Sequence, residues 1–295
     1  MAEKVLVTGA AGLIGRELCK QLSKNFLVIG VDNNFRYPAF SPECTFIRSD
    51  LTEFLNSTKN NFKFVFHMAA INGTEYFYSI PNILIENNVT NDLAVFNFVK
   101  KNKECKLIYA SSSEVVAGTN NFPTAEEKNV YIENIHNPRW SYRIPKILAE
   151  NYLFNSNIDF LIARFFNVYS EHSGPGHFVY DIIQKIQKED YSIIGHDETR
   201  SFCYVEDAVH ALLQVYCQTN REVINIGSDE EINILEAANI IANKLNRSVE
   251  WKLVPGREGS VKRRMPDLTK LKMLVPDYCP TPFKQVIEER FNVDI

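Results

Sequence analysis

Lys4-Val5-Leu6-Val7-Thr8-Gly9-Ala10-Ala11-Gly12-Leu13-Ile14-Gly15 is the stretch whose reading decides the fold. Its apolar start suits a buried parallel strand, and Arg16 to Ser23 continues as an amphipathic helix. Between them, Gly9 allows a sharp turn, Gly12 lets a pyrophosphate approach the backbone, and Gly15 lets helix and strand pack closely. The unpaired N–H groups of the helix start add donors and partial positive charge. A second apolar run, Phe26 to Val31, ends in Asp32, about 20 residues on, the distance of an acid that holds a ribose. The stretch therefore predicts a doubly wound parallel α/β sheet that binds a dinucleotide. Asp32 would repel a 2′-phosphate and the nearest cation is Arg36, so NAD is expected rather than NADP.

With 295 residues, 45% hydrophobic and 23% charged, the chain can bury a large core as one two-part unit. A net charge of −4 and a pI near 5.9 speak against a nucleic-acid or anionic-membrane surface. The first strand starts near Lys4, leaving no room for a signal peptide, and no apolar run reaches membrane-spanning length. Cys19, Cys44, Cys105, Cys203, Cys217 and Cys279 are scattered and form no Cys-x-x-Cys pair. They read as reduced core thiols of a cytoplasmic protein.

Further strands are expected near Cys44–Ile47, Phe64–Ala70 and Lys106–Ala110, with a long helix over Ile83–Lys101. Asp50, with Leu51 after it, stands where a carboxylate reaches an adenine or caps a helix at Thr52-Glu53, and both readings stay open. Small residues at Ala69 and Ala70 leave room for a cofactor. His67 has no second ligand at metal spacing and reads as a hydrogen-bonded structural residue, and no metal is expected. Ser111-Ser112-Ser113-Glu114 follows the fifth strand at its carboxyl end. Tyr142 and Lys146, four apart, share one face of a helix. A tyrosine, ordinarily titrating near ~10, becomes a usable base beside an ammonium and a cationic nicotinamide.

These residues together resemble the extended short-chain dehydrogenase/reductase family, in its nucleotide-sugar epimerase and dehydratase branch. Beyond Thr8–Gly15, the marks are His67-Met68-Ala69-Ala70, Asn88-Val89, Ser111–Val115, Tyr142 with Lys146, Arg164–Tyr169, Arg200–Asp207 and Gly256–Gly259. The resemblance covers nearly the whole chain. It implies a Rossmann-type NAD-binding domain over 1–166 and a smaller C-terminal α/β part for a nucleotide-diphosphate sugar over 167–295, with some crossover between them. It further implies Tyr142, Lys146 and Ser112 as catalytic residues, acting on a sugar hydroxyl usually at C4. Gly9, Gly12, Leu13, Ile14, Asp32, Asp50, Leu51, Ala69, Tyr142 and Lys146 would bind the cofactor. Asn167, His177, Arg200 and Arg257 would bind substrate, the arginines gripping the diphosphate. Ile83–Lys101 and Arg139–Asn155 resemble helices of a four-helix dimer interface, so a homodimer is expected.

The chain departs from the family pattern at several positions. Val116-Ala117 replaces a usual Tyr-Gly, Asn91-Asp92 a frequent Gly-Thr, and Ser170 a common Gly, while Pro145 in the Tyr142–Lys146 helix should kink it or mark its first turns. Glu114 reads either as pocket lining or as a second catalytic acid/base, and His177 as a solvated loop residue or an acid/base. In the C-terminal part Asp207 and Asn233 are read as helix caps, and the loop from Gly256 to Arg264 is expected to close over the diphosphate. The expected function is NAD-dependent oxidation at C4 by a 4-epimerase or 4-dehydrogenase. The alternatives are a 4,6-dehydratase or decarboxylase using Glu114, and, of another class, a non-catalytic NAD-binding regulator.

Overall fold

The computed structural model describes residues 3–36, 43–119, 121–127, 129–132 and 134–291. Its centre is a parallel sheet of β1 (Lys4–Thr8), β2 (Leu27–Asp32), β3 (Thr45–Arg48), β4 (Phe64–His67), β5 (Lys106–Ser112) and β6 (Asp159–Phe165). The chain then adds β7 (Val168–Tyr169), β8 (Ser192–Ile194), β9 (Thr199–Ser201) and β10 (Cys203–Tyr204). It returns to the central sheet with β11 (Glu222–Ile226), and ends its strands with β12 (Glu231–Asn233), β13 (Lys252–Val254) and β14 (Arg263–Arg264). The central order is β11-β6-β5-β4-β1-β2-β3. The winding reverses between β1 and β4, and at such a switch point the two halves splay apart to leave a crevice at the strands' carboxyl ends.

Both faces of the sheet are covered, which is why its strands read as continuous apolar runs. Along β1, Val5 and Val7 enter one core cluster and Leu6 the other. The first cluster takes in α1 (Leu13–Leu22); the second takes in α2 (Leu51–Ser57). After β4 come α3 (Thr74–Ser79) and α4 (Pro81–Lys101), and α5 (Trp140–Phe154) precedes β6. Val95, Phe96 and Val99 of α4 and Ala149 and Leu153 of α5 complete the second face. The C-terminal part supplies α6 (Phe178–Gln187), α7 (Val205–Val215), α8 (Ile234–Lys244), α9 (Thr269–Leu274) and α10 (Phe283–Arg290). Apart from β11, its strands form small sheets beside the carboxyl ends of the central strands, β12-β9-β14, β10-β7 and β13-β8.

Asn233 caps α8 as expected, accepting from the N–H groups of Leu235 (2.8 Å) and Glu236 (3.3 Å). Asp207 does not cap. Helix α7 begins at Val205, and the Asp207 carboxylate instead accepts from the Thr281 backbone N–H at 2.8 Å, tying down the C-terminal segment. Pro145 lies inside α5, which runs through it. Cys19, Cys105 and Cys203 are buried thiols, whereas Cys217 and Cys279 are exposed, a correction to their reading as core residues. No described helix is long and apolar enough to cross a membrane.

Candidate active site

The crevice is a cavity of about 610 Å³ running from Gly12 past Tyr142 to Arg257. At its first end Gly9 has φ +68°, and a Cβ there would lie 2.7 Å from the Ala69 nitrogen. A Cβ on Gly15 would overlap the Gly9 carbonyl, so the turn and helix α1 can meet only if both stay glycine. At Gly12 a Cβ would meet only the Gly9 carbonyl, at 3.1 Å; otherwise the backbone faces open space. Gly12 also caps α1 without a side-chain acceptor, so first-turn N–H groups face the cavity. Asp32 at the tip of β2 accepts from Ala11 N–H (3.1 Å) and Asn34 N–H (2.7 Å). Burial raises its pKa and these two hydrogen bonds pull it back. Asp50 caps α2 through Thr52 N–H (2.8 Å) and also lines the cavity, so both of its expected readings hold geometrically. Leu13, Ile14, Leu51 and Ala69 line the same end. An open glycine floor, unpaired helix donors and an acid at the tip of β2 fit a dinucleotide.

In mid-cavity, β5 presents Ser112 and α5 presents Tyr142 and Lys146. The Ser112 hydroxyl accepts from Glu114 N–H at 3.2 Å and hydrogen-bonds the Tyr142 phenol, which favours the phenolate. Burial outweighs that bond and raises the Tyr142 pKa, so the phenol is held protonated. The ring stacks on Phe77 with centroids 5.3 Å apart. The Lys146 ammonium lies 5.9 Å from the Tyr142 ring centre and donates to the Ala110 carbonyl at 2.7 Å. Burial lowers its pKa, opposed by the charges of Asp92 and Glu150.

Beyond Tyr142 the cavity wall is cationic. Glu114 Oε1 accepts from Arg139 (2.7 Å) and from Arg264 (2.8 Å), all three side chains buried. Burial works to raise the Glu114 pKa, but the two guanidinium groups win and hold it down at about 2. At neutral pH it stands ionised between the two guanidinium groups and lines the cavity, the geometry of the pocket-lining reading. Arg200 is also buried, paired to Glu198 and 3.1 Å from the Ser260 hydroxyl. Burial and the neighbouring Arg264 and Arg139 lower its pKa to about 10, against the pull of Glu198. Asn167 holds φ +41°, a conformation rare outside glycine, and donates to the Ser201 carbonyl at 2.9 Å. His177, at the N-terminus of α6, is not a solvated loop residue: its Nε2 is buried without a partner among the described residues. Burial and Arg36 push its pKa down to about 3. Arg257 is exposed at the rim, with its guanidinium 5.9 Å from the Tyr78 ring centre. Every expected site residue thus borders one cavity.

A family model described as the NAD dependent epimerase/dehydratase family matches residues 5–227. The chain belongs to that family. NAD is accordingly its cofactor, and the chain is an enzyme of the extended short-chain dehydrogenase/reductase group, as its motifs indicated. It is 29% identical to a UDP-N-acetyl-alpha-D-glucosaminuronate decarboxylase of Bacillus cytotoxicus, covering 98% of this chain and 97% of that one. It is 28% identical to UDP-glucuronic acid decarboxylase 5 of Arabidopsis thaliana, over 91% of this chain and 82% of the relative. An epimerase from Methanothermobacter thermautotrophicus superposes with a TM-score of 0.85 at 28% identity, covering 98% of this chain and 91% of that one.

Reasoning along the sequence missed Arg139, Arg264 and Glu198. Arg264 sits in the run Lys262-Arg263-Arg264, where strand alternation turns Arg263 outward to Glu231 and Arg264 inward to Glu114. That alternation was readable. The partner, about 150 residues away in sequence, was not.

Proposed function

We propose that this family member oxidises the C4 hydroxyl of a nucleotide-diphosphate sugar, either returning the hydride to the opposite face as a 4-epimerase or releasing the 4-keto sugar as a 4-dehydrogenase. The observation that carries this reading is the meeting of Ser112, Tyr142 and Lys146 inside the cavity that starts at Gly12. NAD, held by the Gly9–Gly15 loop and Asp32, supplies a hydride acceptor and positive charge when bound. Lys146 orients the ribose end and stabilises the Tyr142 phenolate by its charge. Tyr142 takes the proton from the sugar hydroxyl, and Ser112 donates a hydrogen bond to the reacting oxygen. Arg200 and Arg257 grip the diphosphate, with Asn167 and His177 beside the substrate. The test is mass spectrometry of products from UDP-, GDP-, CDP- and dTDP-linked sugars while NADH absorbance near ~340 nm is followed. An isomer of unchanged mass means epimerase, a loss of two hydrogens means dehydrogenase, and no turnover of any sugar overturns the reading.

A second reading is favoured by the cationic wall. Arg139 and Arg264 both pair with Glu114, and Arg139 Nε and Arg264 Nε and Nη2 are buried without partners among the described residues. Buried donors without acceptors are costly, and an anionic substituent on the sugar would satisfy them. We therefore favour a sugar acid as substrate, and loss of carbon dioxide from the 4-keto acid as its fate, in keeping with the uronate decarboxylases among the relatives. Uronates turning over no faster than neutral hexoses would remove this second reading alone.

Two copies are proposed to pair through α4 and α5, whose outward residues Ile83, Leu93 and Leu148 are exposed apolar side chains.

A further inference from the structure

Asp92 is one of the departures from the family pattern, and its place in the fold gives it a task. It lies buried on α4, on the same face of the sheet as α5. Its Oδ2 accepts from the Tyr109 hydroxyl at 2.8 Å, and the same hydroxyl lies 3.0 Å from Lys146 Nζ. An ammonium is only a donor, so the hydroxyl must accept from Lys146 and can then donate only to Asp92. The chain Lys146 → Tyr109 → Asp92 therefore runs in one direction. Asp92 Oδ1 faces His67 Nε2 at 3.0 Å, and His67 Nδ1 faces the Thr8 hydroxyl at 2.6 Å. Burial lowers the His67 pKa, so the neutral ring donates from Nε2 and accepts from Thr8 through Nδ1. Two chains of donors thus end on the two oxygens of one carboxylate.

The other charges around Lys146 are already paired. Glu150, one turn along α5, is held by Arg164 of β6 through two bonds of 2.9 and 2.6 Å and receives the Ser111 hydroxyl at 2.5 Å. Tyr142, also on α5, is protonated, and burial keeps Tyr109 of β5 protonated too. His67 of β4 is neutral. That leaves Asp92 as the anion, among the described residues, not already neutralised by a cation of its own.

We propose that Asp92 is a positioning residue that acts through Tyr109 to keep Lys146 charged and aimed along the Tyr142 side of the cavity. An ammonium buried without a counter-charge would shed its proton, and its support of the Tyr142 phenolate would go with it. Two of its three N–H groups are fixed, by Tyr109 and Ala110, and the third remains for the cavity. The proposal rests on Tyr142 and Lys146 being the reacting pair.

Asp92 also opposes ionisation of Tyr142 directly, so its loss has two separable effects on a pH profile. In Asp92→Asn the acid limb, set by Tyr142, stays or moves to lower pH, and the alkaline limb, set by Lys146, moves down by about one unit, a tenfold change in the ratio of charged to neutral lysine. The experiment measures kcat against pH for the full chain with NAD. In parallel, the ε-carbon resonance of Lys146, assigned with Lys146→Arg, is titrated by carbon-13 NMR without added cofactor. Asp92→Thr, a smaller neutral side chain that still offers a hydroxyl to Tyr109, serves where Asn is not tolerated. Tyr109→Phe removes one oxygen and cuts the link while leaving the carboxylate, and it should move the Lys146 titration in the same direction. Coincident Lys146 titrations in wild type and variants, or a loss of kcat equal at every pH, would overturn the proposal. Full turnover by Tyr142→Phe would instead strike the functional reading beneath it.

Discussion

Tyr142 shows how far a sequence motif is from a working base. The spacing to Lys146 put both on one helix face, but the folded chain buries the phenol and raises its pKa, with Ser112 pulling the other way. Chemistry at neutral pH then depends on nearby positive charge. Replacing Tyr142 by Phe should lower kcat about 100- to 10,000-fold, the range of a lost general base, with little change in KM, measured by steady-state product formation. Glu114 gives a residue-scale prediction of stability. Its pKa falls from 4.5 in the ordinary side chain to about 2 in the folded protein. A depressed carboxylate adds stability that is complete above the unfolded value and lost as pH falls toward the folded one. Denaturant unfolding of wild type and Glu114→Gln should therefore differ most above pH 4.5 and converge toward about pH 2. Tyr142 with Lys146, and Asp32, were legible because each carries its chemistry within a short local pattern, while Ser112 was singled out only by the family resemblance. Arg139, Arg264 and Glu198 were not, because a buried ion pair is defined by its partner and the partners arrive from distant strands.

At the scale of elements, the junction of β1 and α1 tolerates almost no change. The Gly15 position has backbone on its open side, and the neighbour a Cβ would strike is a carbonyl that cannot swing away. Gly15→Ala should destabilise the protein by about 3 kcal/mol, the upper range for overpacking, as read from the urea midpoint. Helix α5 carries its proline in its second turn, among the first turns that the sequence suggested for it. Pro145 cannot donate to the Ser141 carbonyl, yet the helix continues to Phe154. Tertiary packing decides this: Tyr142, Lys146, Ala149 and Leu153 are all buried against the sheet side, outweighing one lost bond. The cap of α7 is Tyr204, three residues before the expected Asp207. Asp207 was free to bond the backbone of a segment that the sequence places 74 residues later.

At the scale of the whole molecule, the site exists only where the central sheet and the C-terminal part meet. Ligand binding to the folded state alone should therefore stabilise both together. NAD at 100 times its Kd should add about 2.7 kcal/mol, seen as a rise of several degrees in one calorimetric transition. Gly12→Val, which fills the open floor, should abolish that rise, with a smaller fall in the ligand-free Tm because its Cβ lies 3.1 Å from the Gly9 carbonyl. The proposed dimer has its own test: Leu148→Lys should convert the dimer to monomer by light scattering, and a monomeric wild type would remove the proposal.

What the sequence determined by itself was the parallel sheet, the glycine loop for NAD and the placing of Tyr142 and Lys146 on one helix face. Each follows from local covalent order: apolar runs buried on both faces, glycines where no Cβ fits, and two side chains one helical turn apart. What only the tertiary structure decided was the charge state of the site. Glu114 became a counter-ion and Asp92 an anchor for Lys146, while Arg264 turned into the cavity. A protonation state depends on burial and on opposite charges within a few ångströms, and folding alone sets those distances.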